Sequence, residues 1–374
     1  YARMQEVAAR TGFEKVDVLG HSMGTTVMHG YLAYPDRAAN VAHYVNIDGR
    51  SAPAPPGGVP TLAIWAGLGT HAGDEIIGAI NVTIPNQTHV QVATSKETFA
   101  EIYQFLAGKI PAAIDIIPDP PGKVRLAGRA IYFPLNIGLP NATLEIWEVD
   151  ADTGERAKKK PKATIALGLD GSFGPIKAEG GNSYEFAVAQ ESTSGTYTHH
   201  FYFEPFFRSD YLIRLTSSPR GTGISAFLDT SDNHTNMIVQ RYKEFWGDQG
   251  AEDDVLLIDG ASVLNPATCP FDKRVIAMFL FDRSSDGISH LFYMDPVFTY
   301  PGTHFMSGAD LYIPGVNPPD DTVQVMLIPR NDADHTQVIN ALNWASSEHT
   351  VSTIFNDYVQ DINSFPEWAK SKGE

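Results

Sequence analysis

The sequence predicts an α/β unit followed by all-β structure, and three observations carry that expectation. Near its start, an apolar strand pattern runs straight into Gly-His-Ser-Met-Gly and then into helical spacing. Strand and helix patterns keep alternating to about residue 109, the order that builds a parallel sheet. After Ile110 helical periodicity largely stops, and short strand-like runs separated by Gly, Pro, Asn and Asp turns take over.

Taken in order, residues 1–12 (YARMQEVAARTG) read as an amphipathic helix and 14–19 (EKVDVL) as a short buried strand. TTVMHGYLAYPDRA has helical spacing that ends near Pro35. AHYVNIDG (42–49), TLAIWAG (61–67) and INVTIPN (80–86) are three further strands. SKETFAEIYQFLAGK (95–109) is a helix with Ser95 placed to cap it. PAAIDIIPDPPGK is a linker by composition. Beyond it, KVRLAGRAIY, ATLEIWEVD, ATIALGLD and SYEFAVA suggest a small β-sandwich over 112–189. THHFYFEPF, YLIRLTS, DVLLIDG, RVIAMFLFDR, ADLYIPG, TVQVMLIPR and VSTIFNDY suggest a larger antiparallel sandwich or jelly roll over 190–374, closed by a helix-like tail, FPEWAKSKGE.

A chain of 374 residues suggests two or three domains, and 43% hydrophobic content is enough for full-sized cores. The net charge of −17 argues against a nucleic-acid partner, which needs a basic face. Cys269 is the single cysteine, so neither an internal disulfide nor a Cys-based zinc cluster is available. No apolar run is long enough to span a bilayer as a helix. Tyr1 is not an initiator, and the sequence is expected to begin inside its first domain. Location is not legible from these residues; a secreted chain is the favoured expectation.

Gly20-His21-Ser22-Met23-Gly24 matches G-x-S-x-G between a strand and a helix, the setting of a nucleophile elbow. There the serine sits on a strained turn, and the two glycines are expected to leave room where side chains would clash. The backbone N–H of Met23 would point at a developing oxyanion, while a second donor is expected from a segment preceding Tyr1. A serine hydroxyl needs a base, and the order for a partial α/β-hydrolase is serine, acid, histidine. His89, in NQTHVQ just after a strand, is the expected base; His71 in a loop and His43 inside a strand are the lesser candidates. Asp48, at a strand end before Gly49, is the expected acid, with Asp74 in GTHAGDE as the alternative.

GHSMGT, HYVNIDG, GVPTLAIWAG and NQTHVQVATSKETFAEIYQFLAGK together resemble a thermophilic archaeal carboxylesterase–lipase with a C-terminal β-domain. That resemblance implies hydrolysis of long-chain acyl esters by Ser22, Asp48 and His89, and a β-region that helps bind lipid at an interface. GLPNATLEIWEVDADTGE through SYEFAV resembles the transthyretin-like, carboxypeptidase-regulatory sandwich. The implied partner is a lipid or small ester, with no cofactor. A short-chain esterase or a peptidase of the same fold stays open. So does a binding protein whose β-sandwiches do the work beside a vestigial hydrolase part.

The β-rich remainder adds two features. On a strand, His199, Phe201 and Phe203 share one face, with His200, Tyr202 and Glu204 on the other. A core between sheets is the expected role of these aromatics, and a lipid-contacting surface the rival one. Acids lie near Trp246 and His residues near Asp, yet neither group has metal-ligand spacing, and no metal is expected.

Overall fold

The computed structural model describes residues 1–374 except 121, 140, 193–194, 219–220, 222, 292–303, 331–333 and 357–374. The expected C-terminal helix-like piece therefore lies outside the described residues. The chain divides into two compact units, Tyr1–Asp115 and Ile116–Glu374.

In the first unit the order is α1 (Ala2–Thr11), β1 (Val16–His21), α2 (Met23–Leu32), α3 (Pro35–Ala38), β2 (Val41–Ile47), β3 (Thr61–Ala66), β4 (Ile80–Ile84), α4 (Gln91–Thr94) and α5 (Lys96–Ala107). The four strands pair in the order β1-β2-β3-β4, all parallel. TLAIWA is buried at every position, as a strand covered on both faces must be. The Ser95 side chain accepts a hydrogen bond from the Thr98 N–H, and Gly108 ends α5 in the left-handed region at φ 68°.

The second unit contains β5 (Arg125–Tyr132), β6 (Ile137–Gly138), β7 (Ala142–Val149), β8 (Ala163–Ala166), β9 (Ser172–Lys177), β10 (Ser183–Ser192), β11 (Gly195–Phe203) and β12 (Asp210–Ser217). It continues with β13 (Met237–Arg241), β14 (Val255–Ile258), β15 (Ala261–Ser262), β16 (Ala277–Phe281), β17 (Met306–Asp310), β18 (Thr322–Ile328), β19 (Gln337–Leu342) and β20 (His349–Phe355). An eight-stranded sheet, β17-β16-β13-β20-β11-β10-β7-β8, forms its middle. Phe186, Phe201 and Phe203 on one face of that sheet pack with Leu126, Ile213 and Leu215 of the β12-β5-β6/β9 sheet. Tyr202, Val239 and Val351 on the other face pack with Leu256, Val325 and Ile339 of the β15-β14-β18-β19 sheet. The unit is thus three β-layers with a core on either side of the central sheet, and a smaller cluster of Ile224, Ile238, Phe279 and Phe281 beside them.

Two expectations about fold class are corrected here. An α/β-hydrolase architecture is not observed: the parallel sheet has four strands only, and strand dominates the chain. A small sandwich followed by a separate antiparallel one is not observed either. The central sheet takes strands from both sides of residue 190 and is mixed, because β11 and β13 both run parallel to β20. The physical reason is long-range pairing. Thr198 is registered with His349, a contact that no local pattern encodes.

Burial of both faces also decides the aromatic stripe. His199, His200, Phe201, Tyr202 and Phe203 are all buried, so the stripe is core rather than a lipid-contacting surface. The strand MIVQR (β13) has no counterpart in the sequence reading; it is buried at four of its five positions, so it lacks the alternation that marks a half-buried strand.

Candidate active site

Ser22 sits where β1 gives way to α2, as the helix N-cap, with φ 55° and ψ −127°. A non-glycine residue rarely adopts this conformation, and holding one there costs about 1–3 kcal/mol. Neighbouring bonds supply the restraint. The Ser22 N–H donates to the Ile47 carbonyl at 3.1 Å. The Ser22 carbonyl accepts from the Thr25 hydroxyl at 2.6 Å and the Thr25 N–H at 3.0 Å. Thr25 is fully buried, and its hydroxyl also accepts from the Arg50 N–H at 2.8 Å.

The two motif glycines are not equivalent. A Cβ on Gly20 would stand 2.9 Å from the Gly24 carbonyl carbon and oxygen, so β1 and the first turn of α2 approach too closely for a side chain. A Cβ on Gly24 would meet no atom within 4 Å, which corrects the expectation that both glycines relieve a clash. Gly49, outside the motif, is tighter than either: its Cβ would lie 2.2 Å from the Thr25 hydroxyl oxygen.

His89 lies between β4 and α4 and is 2% exposed, while Asp48, at the end of β2, is fully buried. The His89 Nε2 lies 2.9 Å from the Ser22 Oγ, and its Nδ1 lies 2.6 Å from the Asp48 Oδ2. A carboxylate only accepts, so Nδ1 carries the proton and the Nε2 lone pair faces the serine hydroxyl. The other carboxylate oxygen of Asp48 accepts the Ala66 N–H at 2.8 Å, which pins the acid between β2 and β3. Asp48 itself has φ 39°, a second left-handed residue at the site.

The structure brings Ser22, His89 and Asp48 together and leaves the other candidates apart. Asp74 pairs with His71, Oδ2 to Nδ1 at 2.9 Å, on a partly exposed turn. His43 pairs with Asp17 at 2.8 Å and packs edge-on against Phe105. Met23 occupies the first position of α2, where a backbone N–H has no acceptor within the helix. Sequence reasoning missed Thr25, and it also missed His21, whose ring centroid lies 4.7 Å from that of His89. Both stand within GHSMGT, where attention to side chains around the serine could have found them. Among the described residues no cluster of His, Cys, Asp and Glu has the arrangement of a metal site, and no helix is long and apolar enough to cross a membrane.

The second unit holds a cavity of about 530 Å³, lined by Phe133, Ile224, Ile238, Phe279 and Phe305 with Arg214 among its polar groups. The buried His199 also borders it, fixed by Ser217 at 3.0 Å and Ser352 at 2.8 Å.

Comparison with known proteins bears on this second unit. Residues 122–220 match the family model of the lipase C-terminal domain. Residues 223–359 match a second model, described as a "-like, C-terminal domain". This similarity to a lipase domain is confined to residues 122–220, within the β-rich unit. No curated protein matches the chain. Among solved structures, the shaft pilin spaA from Lactobacillus rhamnosus GG matches at 10% identity and a TM-score of 0.18, over 63% of this chain and 99% of the pilin chain. A score that low carries no argument about fold or function.

Proposed function

We propose that the chain cleaves carboxylic esters, those of acylglycerols or other lipids, through an acyl-enzyme formed on Ser22. The observation that carries this reading is the line of two short contacts, Ser22 Oγ to His89 Nε2 at 2.9 Å and His89 Nδ1 to Asp48 Oδ2 at 2.6 Å. His89 takes the serine proton as Oγ attacks the ester carbonyl, and Asp48 stabilises the imidazolium that results. The Met23 N–H at the start of α2 donates to the oxyanion of the tetrahedral intermediate. His89 then protonates the departing alcohol, and the same steps with water in place of serine release the acid. Similarity of residues 122–220 to a lipase domain favours an ester over an amide as substrate. The apolar cavity of the β-rich unit is a feature that lipid contact would use. The finer likeness to archaeal carboxylesterase–lipases belongs to this same proposal.

The test is hydrolysis of p-nitrophenyl esters from acetate to palmitate by the full chain, with Ser22→Ala alongside. Turnover of long chains that falls by about 10³-fold or more in the variant supports the lipase reading. Turnover confined to short chains makes the protein an esterase. Equal rates for wild type and Ser22→Ala would overturn the proposal.

A further inference from the structure

We propose that His21 is the positioning residue of this site, locking the turn that carries His89 to the strand that carries Ser22. The inference rests on the hydrolase reading above for its kinetic consequences but on geometry for its content.

His21 ends β1 and immediately precedes Ser22. Its Nε2 lies 2.8 Å from the backbone carbonyl of His89. A carbonyl oxygen only accepts, so Nε2 bears the proton and donates. The two rings also pack against each other in a tilted arrangement, with centroids 4.7 Å apart and planes inclined by 35°. One side chain therefore touches His89 twice, at its main chain and at its ring.

His89 needs this because of where it stands. It lies outside the parallel ladder, between the end of β4 at Ile84 and the start of α4 at Gln91. Asp48 and Ser22 both contact the edge of its ring, at Nδ1 and Nε2. Those two contacts define an axis, and a ring can still tilt about an axis. A ring packed beside it limits that freedom, and the bond to the carbonyl fixes the backbone from which the ring projects. β1 is itself fixed by its pairing with β2, where His21 is registered with Ile47 just before Asp48. Nucleophile, acid and base thus refer to one rigid pair of strands. Misplacement of a reacting group by about 1 Å can cost about 10²-fold in rate.

The test compares His21→Leu, which removes the donor, with His21→Gln, whose amide N–H can reach the carbonyl. Both are measured in the full chain by kcat and KM on p-nitrophenyl butyrate, and by the downfield proton resonance of the His89 Nδ1–H held by Asp48. In His21→Leu, kcat should fall about 10- to 100-fold with KM changed less than about twofold, and the resonance should broaden or vanish. His21→Gln should recover a substantial part of both. Two results would overturn the proposal: wild-type kcat and an intact resonance in His21→Leu, or equal loss in both variants. If the wild type shows no Ser22-dependent turnover, the function fails instead. The resonance still decides the positioning role, since it requires no substrate.

Discussion

Replacing each motif glycine by alanine separates two explanations of the turn at Ser22. A Cβ on Gly20 would stand 2.9 Å from Gly24 carbonyl atoms and 3.0 Å from the Thr25 N. All three are backbone, so no rotamer change relieves the contact. β1 and α2 must separate by about half an ångström to reach ordinary van der Waals distance, at an overpacking cost of about 1–3 kcal/mol. Ser22 lies on the hinge of that movement, and a shift of this size should lower turnover about tenfold, with 1 Å worth about 10²-fold. Gly24 differs, because its Cβ would meet nothing within 4 Å and the residue lies in α2. Alanine there should be neutral or stabilise the helix by up to about 1 kcal/mol. Urea midpoints and p-nitrophenyl ester turnover of the two single variants should therefore diverge by about 1–4 kcal/mol and about tenfold. Equal damage from both variants, or none from Gly20→Ala, would refute the view that close backbone approach makes Gly20 a glycine.

Two further predictions concern other parts of the chain. Asp48→Asn should reduce kcat by about 10³- to 10⁴-fold, because an amide cannot hold the required tautomer of His89, whereas Asp74→Asn should leave it within about twofold. Comparable losses in the two variants would contradict the geometry. In the β-rich unit, burial, aided by the charge of His200, lowers the His199 pKa to about 3 from its ordinary 6.5. Burial likewise lowers His349 to about 3, with His200 and Arg156 adding to it. Between those values the unfolded chain binds protons that the folded chain refuses, so stability should decline as pH falls below about 6.5. Burial raises the Glu185 carboxyl, but its bonds to Arg156 and His200 outweigh that and hold it near 2, so its contribution is lost only as pH falls from about 4.5 toward 2. Urea midpoints from pH 7.5 to 4 should show the decline, with a shallower slope in His199→Gln. A flat profile over that range would rule out the buried histidines as its source.

Local pattern was enough to locate β1, β2, β3, β4 and α5 to within two residues of their observed bounds. Strand periodicity and helix capping act over a few neighbouring residues and are written in them directly. The same locality exposed Ser22 and Met23, since a strand, a tight turn and a helix occupy consecutive positions. His89 was singled out as the expected base from its place just after a strand, again a matter of local order.

Tertiary structure decided the rest. Which carboxylate meets His89 depends on a contact 41 residues apart in sequence: Asp48, favoured for its strand-end setting, makes it, and Asp74, the alternative, turns to His71 instead. The reading of Gly24 as a clash-relieving glycine failed because the space around a Cβ belongs to the packed structure. Thr25 and His21 acquire meaning only from the carbonyls they reach. In the β-rich unit the alternation in FYF was legible, but a strand covered on one face and a strand covered on both look alike until the outer layers are known. The sequence by itself determined the elements of the first unit and which residues carry reactive groups, because those are properties of neighbours. Strand order, the mixed eight-stranded sheet and the partners of each reactive group came only from folding, because hydrogen bonds between strands are satisfied by whichever distant segment packs beside them.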